Sequence, residues 1–375
     1  MSVLTPELLD RIRSRAAGYD RDNTFFTEDL DELRAAGYLA PRSLLETARD
    51  QRLLASYAPA TALGINMHLV WVGVARVLRD RGDDSLDWVL RDAEAGELFA
   101  FGNSEGGNDL VLWDSLTRVE RVDGGYSFTG TKIFTSLAPA WTRLGIFGKQ
   151  TSGEGAPRLV HGFLRRATPE TAVTGVTTLD DWDTLGMRAT QSNTTKLDHA
   201  VVADADISRF LPVGPNADPF VFAIFANFLL LIGSVYAGIA DRALELAVEA
   251  AHTRTSLKNG GATYAQDPDI RWRVADAALA LDALRPELEG LASDVDTLVD
   301  HGSNWFRYLT GAKHRSTEAA RYVVDQALRV AGGGGYRSAS ELARLQRDVL
   351  AGIYHPSDTE SIHATVSTAV LGPLA

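Results

Sequence analysis

The sequence predicts an α–β–α fold, in which a central β domain lies between two helical parts of the chain. Apolar residues recur at helical spacing in the first hundred residues and again after Pro219. Residues 101–208 instead alternate between apolar and polar side chains and contain Gly-, Thr- and Asp-rich loops. A hydrophobic content of 45% in 375 residues is enough for a sizeable core. We expect domains over residues 1–98, 99–208 and 209–375.

Capping residues support the helices predicted near the N-terminus. Thr5 followed by Pro6 is typical of a helix start, and Thr27 starts a second helix that ends before Gly37. Two more helices are predicted, over residues 60–78 and 85–95. The first residues are charged and amphipathic and lack the apolar core of a signal peptide, so a cytoplasmic location is expected.

The central domain contains a predicted hairpin that leads into residues 130–136 (GTKIFTS). Gly124 and Gly125 suit the tight turn, and the aromatic and branched residues after it favour a strand. Such a strand presents an aromatic ring and a hydroxyl, here Phe134 and Ser136, to a flat cofactor, although an ordinary amphipathic hairpin has the same pattern. The predicted strands cover residues 112–119, 126–134, 144–147, 160–164 and 194–202.

Long helices are predicted after Pro219, and their lengths indicate a bundle of nearly antiparallel helices. They cover residues 221–251, 269–298, 305–331 and 339–350. Residues 219–240 carry no charge and are long enough to span a bilayer. Because polar side chains interrupt this stretch and no basic segment flanks it, we predict the buried central helix of the bundle.

Charge and composition exclude several functional classes. A net charge of -12 opposes binding to a phosphate backbone. The absence of cysteine excludes disulfides, thiolate metal sites and a cysteine nucleophile. His161 and His199 lack metal-ligand spacing, and no metal site is predicted. His68, on an apolar helix, is predicted to be buried and hydrogen-bonded.

Four motifs occur in an order that resembles one family. They are residues 101–110 (FGNSEGGNDL), 130–136, 182–192 (WDTLGMRATQS) and 332–348 (GGGGYRSASELARLQRD). Over almost the whole chain they resemble the acyl-CoA dehydrogenase superfamily of flavoproteins. The resemblance implies an α+β fold with an N-terminal helical domain, a central β domain and a C-terminal antiparallel helix bundle. It also implies FAD as cofactor, or FMN in the monooxygenase branch, and a homodimer or homotetramer.

The resemblance assigns roles to residues of the β domain. It implies that Phe134 packs on the flavin isoalloxazine ring and that Ser136 hydrogen-bonds near its N5 atom. Ser104 is expected to donate to a flavin carbonyl. Glu105 and Asp109 lie in the same loop, and we predict both to be turn residues.

Other cofactor contacts are implied in the C-terminal domain. Arg254 stands where the family has an arginine that binds the flavin pyrophosphate across a subunit interface, and exposed salt bridging is the alternative. Gly332 and Gly333 stand where the family contacts the adenosine half, and Arg329 replaces the family's glutamine there. Read alone, the glycine run is a helix C-cap. Arg188, of the L-G-M-R motif, is expected to organise its own loop.

The position of the general base departs from the family pattern. Dehydrogenases of this family use a glutamate in an I-Y-E-G-T motif or on the central helix of the last domain. His355 stands at the first position and Phe228 at the second, so neither holds a carboxylate. His355 is a candidate base because imidazole titrates near neutral pH, or it assists oxygen chemistry as in the reduced-flavin monooxygenases. Glu360 is a substitute candidate for the base.

Three functions follow from the resemblance. The first is an FAD-dependent oxidoreductase that oxidises an acyl thioester such as acyl-CoA by hydride transfer to flavin N5, with an electron-transfer flavoprotein as partner. The alternative is a two-component monooxygenase that receives reduced flavin from a flavin reductase and uses C4a-hydroperoxide chemistry. The third is a flavin-binding protein without turnover. A small-molecule substrate is expected, and neither nucleic acid nor a membrane is.

Overall fold

The computed structural model describes residues 2–153, 155–372 and 374. In this part of the chain, five helices precede one mixed sheet and six follow it, so the predicted α+β class and the α–β–α order are confirmed. The first five helices are α1 (Pro6–Asp22), α2 (Thr27–Ala35), α3 (Leu44–Ala55), α4 (Pro59–Asp80) and α5 (Asp87–Glu94). The domain boundaries at residues 98 and 208 stay a prediction.

Helix α3 is an element that the sequence analysis missed. Ser43 is its N-cap and accepts a hydrogen bond from the Glu46 backbone N–H (3.2 Å), while its hydroxyl donates to the Glu46 carboxylate (3.1 Å). This capping box was the available signal. The predicted start of α1 is confirmed, since the Thr5 hydroxyl accepts from the Leu8 N–H at 3.3 Å.

The sheet has the strand order β6-β7-β3-β2-β4-β5-β8, and β1 also pairs with β4. Its strands are β1 (Phe99–Gly102), β2 (Arg118–Val122), β3 (Gly125–Lys132), β4 (Arg143–Gln150), β5 (Arg158–Arg165), β6 (Val176–Thr178), β7 (Thr195–Ala203) and β8 (Ile207–Pro212). The predicted hairpin is confirmed, because β2 and β3 are antiparallel and join through Gly124 at φ 72°. The strand predicted over residues 112–119 is wrong for most of its length, since β2 begins only at Arg118.

In the described chain six α-helices follow the sheet: α6 (Pro219–Thr253), α7 (Pro268–Asp282), α8 (Leu284–Asp296), α9 (Trp305–Ala331), α10 (Glu341–Val349) and α11 (Thr359–Leu371). The helix predicted over residues 269–298 is two helices. Pro286 has no N–H and its ring clashes with the carbonyl four residues earlier, which explains the break at Ala283. Helix α11, capped by Asp358, was not predicted.

Two helices of the described chain, α4 and α6, have the length and apolar composition of a membrane span. In their most apolar windows, 89% of the α4 residues and 83% of the α6 residues are buried inside the protein. Helix α6 packs against α3, α4 and α9, so its apolar sides face other helices. The prediction of a buried central helix is confirmed.

Candidate functional site

The chain leaves β3 through an exposed aromatic residue with strained backbone. Phe134 adopts φ 55°, the left-handed region that bulky side chains seldom occupy. Its side chain is 51% exposed, and its ring meets the Trp182 ring edge-on at 6.0 Å. An aromatic face held out from a sheet in this way is suited to covering a flat ligand.

Ser136 lies two residues further on and is buried. Its hydroxyl is 2.7 Å from the Ser192 hydroxyl, which in turn donates to the Thr190 hydroxyl at 2.8 Å. Thr190 completes the chain by donating to the Met187 carbonyl oxygen at 2.9 Å. The L-G-M-R segment and the end of β3 are therefore joined by a row of hydroxyl groups.

The loop after β1 lies beside the same segment. The Ile133 N–H donates to the Ser104 carbonyl oxygen at 2.9 Å, so Ser104 is adjacent to the chain that carries Phe134. Asn103 is only 1% exposed, and neither its amide nitrogen nor its amide oxygen has a partner among the described residues. A buried amide without hydrogen bonds is costly, so a ligand or an ordered water that supplies them is expected here.

Asn103 is a candidate that the sequence analysis missed. It directly follows the fully buried strand β1 and precedes Ser104. A polar side chain at the end of a buried strand was the available signal, but it is a weak one. Only the absence of partners distinguishes Asn103 from an ordinary loop asparagine.

Glu105 corrects a prediction, because it is not a simple turn residue. Its carboxylate is buried and accepts hydrogen bonds from the Ser115 hydroxyl (2.8 Å) and the Thr117 hydroxyl (2.6 Å). Burial alone raises the pKa of a carboxyl, but the Lys132 ammonium and these donors hold the pKa of Glu105 at about 2. Asp109, the other predicted turn residue, is exposed.

His161, on β5, makes the free energy of unfolding dependent on pH. Its ring stacks on Phe147 at 4.9 Å, and its Nε2 atom is buried without a partner among the described residues. Burial, with the positive charges of Lys132 and Arg209, lowers the pKa of His161 to about 3. The folded protein therefore keeps this imidazole neutral, whereas the unfolded chain protonates it below the ordinary pKa of about 6.5.

The free energy of unfolding is therefore expected to fall as the pH falls from 6.5 towards 3, by about 1.4 kcal/mol per pH unit for this one group. Between pH 6.5 and 4.5 we expect the free energy of unfolding of His161→Phe to fall by about 2 kcal/mol less than that of the wild type. Urea unfolding followed by circular dichroism at each pH measures the difference. His252→Gln, at an exposed position of α6, is the control and is expected to keep the wild-type slope.

His68 is a structural histidine of the core, as predicted. Its Nε2 atom is 2.9 Å from the Leu39 carbonyl oxygen, and its Nδ1 atom accepts from the Phe99 N–H at 3.2 Å. Both ring nitrogens are thus used, and burial lowers the pKa of His68 to about 4. Neither ring nitrogen is left free to bind a ligand.

His355 follows a short 3-10 helix (Leu350–Ile353) and faces α6. Its Nε2 atom is buried without a partner in the described chain, and its ring lies 5.8 Å from the ring of Tyr236, whose hydroxyl is also unpaired there. Burial, followed by the charge of Lys313, lowers the pKa of His355 to about 3. The imidazole is therefore neutral at physiological pH. It is a weak base but remains a competent hydrogen-bond donor or acceptor.

Lys313 holds the turn that carries His355. Its Nζ atom donates to the carbonyl oxygens of Gly352 (3.0 Å), His355 (3.0 Å) and Ser357 (2.7 Å). The side chain is buried, and burial lowers the pKa of Lys313 to about 8. A buried ammonium with three carbonyl partners fixes the backbone on both sides of the histidine.

The second group of predicted residues lies where α9 ends. The Arg254 guanidinium donates to the carbonyl oxygens of Val330 (3.1 Å) and Ala331 and lies 4.7 Å from the Tyr264 ring centroid. It therefore acts as a C-terminal cap of α9 rather than as an exposed salt bridge. Gly332 is packed against it, because an added Cβ would meet the Arg254 Nη1 atom at 2.7 Å.

Arg329 and Gly333 lie at the surface near this cap. Arg329 pairs with Asp325 at 2.7 Å, and its side chain is more than half exposed. Within the described residues, no hydrogen bond or ion pair joins this group to the Ser104 loop or to residues 134–136. Their contact with a cofactor stays a prediction, which requires a second subunit in the way that the resemblance implies.

Arg188 organises its own loop, as predicted. Its guanidinium donates to the carbonyl oxygens of Asp20 (2.8 Å) and Thr184 (2.9 Å). The adjacent Met187 N–H donates to the buried carboxylate of Asp348 at 2.6 Å. The L-G-M-R segment therefore connects the end of β3 to the helix that leads to His355.

The residues around the end of β3 fit a flavin. An isoalloxazine ring has flat apolar faces and hydrogen-bonding atoms on its edge. Phe134 offers the exposed aromatic face, and Asn103 offers a buried donor and acceptor that nothing in the described chain uses. Ser104 and Ser136 add hydroxyl groups nearby. By contrast, no group of three His, Asp or Glu side chains in the described part of the chain is arranged to hold a metal ion.

Comparison with known proteins gives consistent results. Residues 230–357 match the family model of the acyl-CoA dehydrogenase C-terminal domain. The amino sugar nitrososynthase DnmZ of Streptomyces peucetius is 30% identical over 78% of this chain and 69% of its own length. A dibenzothiophene monooxygenase of Mycolicibacterium goodii is 28% identical over 92% of this chain and 87% of its own.

Two further relatives cover nearly the whole chain. The putative acyl-CoA dehydrogenase YdbM of Bacillus subtilis (strain 168) is 27% identical, with 96% of this chain and 94% of its own length aligned. The solved structure of KijD3 in complex with FMN and a dTDP-linked amino sugar superimposes with a TM-score of 0.83 at 26% identity, and the match covers 98% of this chain and 92% of that one.

Proposed function

This chain belongs to the acyl-CoA dehydrogenase superfamily, and on that basis we propose that it is a flavin-dependent monooxygenase that uses reduced flavin, O2 and a small organic substrate. As a member of the superfamily it is a flavin-dependent oxidoreductase. The monooxygenase reaction is the more specific part of the proposal. The motifs had favoured oxidation of an acyl thioester and left the monooxygenase as the alternative.

The observation that carries the proposal is that neither of the two positions where the family places its catalytic base holds a carboxylate. Dehydrogenation of an acyl thioester requires a base that removes the α-proton. At the two positions where the family places that base, this chain has Phe228, stacked on Phe101 at 6.3 Å, and an imidazole whose pKa is about 3. Neither group accepts a proton well at neutral pH, whereas a neutral imidazole can still donate or accept a hydrogen bond.

The relatives support the same choice. A dibenzothiophene monooxygenase and an amino sugar nitrososynthase both align with most of this chain. A bound reduced flavin would supply the two electrons that activate O2, with one oxygen atom transferred to the substrate and the other released as water. Phe134, Ser136, Ser104 and Asn103 would hold the ring, and His355 would donate a hydrogen bond beside it. FMN is the expected flavin, because KijD3 binds it. FAD is the alternative, and the pyrophosphate and adenosine contacts predicted for Arg254, Arg329, Gly332 and Gly333 apply to FAD alone.

A flavin reductase is the expected protein partner, and the assembly is expected to be a homodimer or homotetramer. The cytoplasmic location stays a prediction. Oxidation of an acyl thioester is the second candidate function, and the alignment with YdbM over 96% of the chain favours it.

The test supplies the purified protein with FMN, NADH, a flavin reductase and ¹⁸O₂ in the presence of a panel of aromatic heterocycles, amino sugars and acyl-CoA thioesters. We expect one ¹⁸O atom in the product of at least one panel member, as measured by mass spectrometry, and no product without the reductase. Anaerobic bleaching of bound oxidised flavin by an acyl-CoA, without any ¹⁸O incorporation, would show that the dehydrogenase interpretation is right and the proposal wrong.

A further inference from the structure

A fully buried ion pair joins the two segments that border the proposed flavin site. The Lys132 Nζ atom donates to the Glu105 carboxylate at 2.8 Å and to the Phe147 carbonyl oxygen at 2.7 Å. The two side chains are 0% and 2% exposed, respectively. Lys132 is the last residue of β3, two positions before Phe134, and Glu105 directly follows Ser104.

The Glu105 carboxylate is a hub for the whole loop. Besides Lys132 and the hydroxyls of Ser115 and Thr117, it accepts from the backbone N–H groups of Leu116 (2.8 Å) and Thr117 (2.9 Å) and from the Asn108 amide (2.9 Å). Both ends of the loop between β1 and β2 are thus tied to one side chain. The loop cannot move without exposing or unpairing this charge.

A backbone hydrogen bond next to the ion pair joins the same two segments at a second point. The Ile133 N–H donates to the Ser104 carbonyl oxygen at 2.9 Å, one residue along from Lys132 and one residue back from Glu105. Two neighbouring contacts fix both the distance and the relative rotation of the segments 103–105 and 132–136. Those segments carry Asn103, Ser104, Phe134 and Ser136.

Stability alone does not explain a buried ion pair. Removing two charges from water costs about as much as their attraction returns, and apolar replacements are often neutral or stabilising. What this pair can provide instead is a defined geometry, because both charges keep their partners while the two segments hold this arrangement. A rigid ring that both segments contact requires that the segments keep a fixed arrangement.

We propose that Glu105 and Lys132 are positioning residues of the flavin site, which act through Ser104 and Phe134 without contact to the flavin. This inference rests on the flavin-binding part of the proposed function. The opposing interpretation is that the pair stabilises the β domain and has no specific effect on the cofactor.

The test compares Lys132→Met, Glu105→Gln and the double variant. Each single change removes one charge of the pair and leaves the other buried without its counter-charge, so both are expected to lower the melting temperature. The double variant replaces the pair by neutral groups and is expected to recover part of that loss. Lys149→Met is the control, because Lys149 of β4 pairs with Asp114 of the same β1–β2 loop at 2.7 Å but does not join the loop to residues 132–136.

The deciding readout is the dissociation constant of oxidised FMN, measured by fluorescence quenching well below every melting temperature. We expect it to rise about tenfold or more in the double variant and to stay near the wild-type value in Lys149→Met. A double variant that regains stability and binds FMN as the wild type does would overturn the inference while leaving the proposed function intact. A wild-type protein that binds neither FMN nor FAD would overturn both.

Discussion

Replacing His355 by alanine is expected to lower the rate of substrate oxygenation by about two orders of magnitude or more, with the dissociation constant of FMN changed by less than about threefold. The ring is held by the turn that Lys313 fixes, and its Nε2 atom has no partner in the described chain. In the proposed function this ring lies beside the flavin, where a positioned, unpaired donor or acceptor contributes to the reaction rather than to the fold. Its loss therefore appears in the rate and not in cofactor affinity.

The pH dependence separates two roles for this histidine. With a pKa of about 3, His355 stays neutral throughout the range from pH 6 to 8. A hydrogen-bonding role therefore predicts a rate without a His355-dependent ionisation in that range. A general base with an ordinary imidazole pKa predicts a rate that falls below about pH 6.5.

Two variants complete this experiment. His355→Gln keeps a hydrogen-bonding side chain without a titratable group and is expected to retain more activity than His355→Ala. His252→Ala removes an exposed histidine from α6 and is expected to be as active as the wild type. Full activity in His355→Ala would show that the residue has no direct role.

Much of the fold could be predicted from local sequence, because periodicity and capping are local properties. The start of α1 at Pro6, the hairpin at Gly124 and the bounds of α9 all follow from residues within each element. The break between α7 and α8 could also have been predicted, since Pro286 marks it. The apolar periodicity continues across the break, which is why one helix was predicted there. Helix α3 was missed although its capping box was present.

The site was less predictable, because its geometry depends on contacts between distant segments. Glu105 looks like a turn residue from its glycine neighbours, and only the fold brings Lys132 to it from 27 positions away. Asn103 and His355 are distinguished by buried polar atoms without a partner among the described residues, which no sequence pattern reports. Arg254 and Arg329 were expected to meet a cofactor, but in one chain they cap and flank α9.

Lys313→Met is expected to lower the free energy of unfolding by about 2 to 3 kcal/mol. Methionine fills a similar volume but donates no hydrogen bond, so the carbonyl oxygens of Gly352, His355 and Ser357 lose their shared partner. The loss is partly offset because the variant no longer buries an ammonium group. Thermal unfolding of the wild type and the variant measures the difference, and Lys196→Met, at an exposed position of β7, is the control.

The stability difference between the wild type and Lys313→Met is also expected to depend on pH, which gives a second test. Burial lowers the pKa of Lys313 to about 8, whereas an unfolded lysine keeps its proton up to about pH 10.4. Between these values the unfolded chain binds more protons, so the wild type should gain stability relative to Lys313→Met as the pH rises from 8 to 10. A difference that stays constant across this range would mean that the ammonium remains fully charged in the fold. The turn of His355 would then be held by a cation that burial does not perturb.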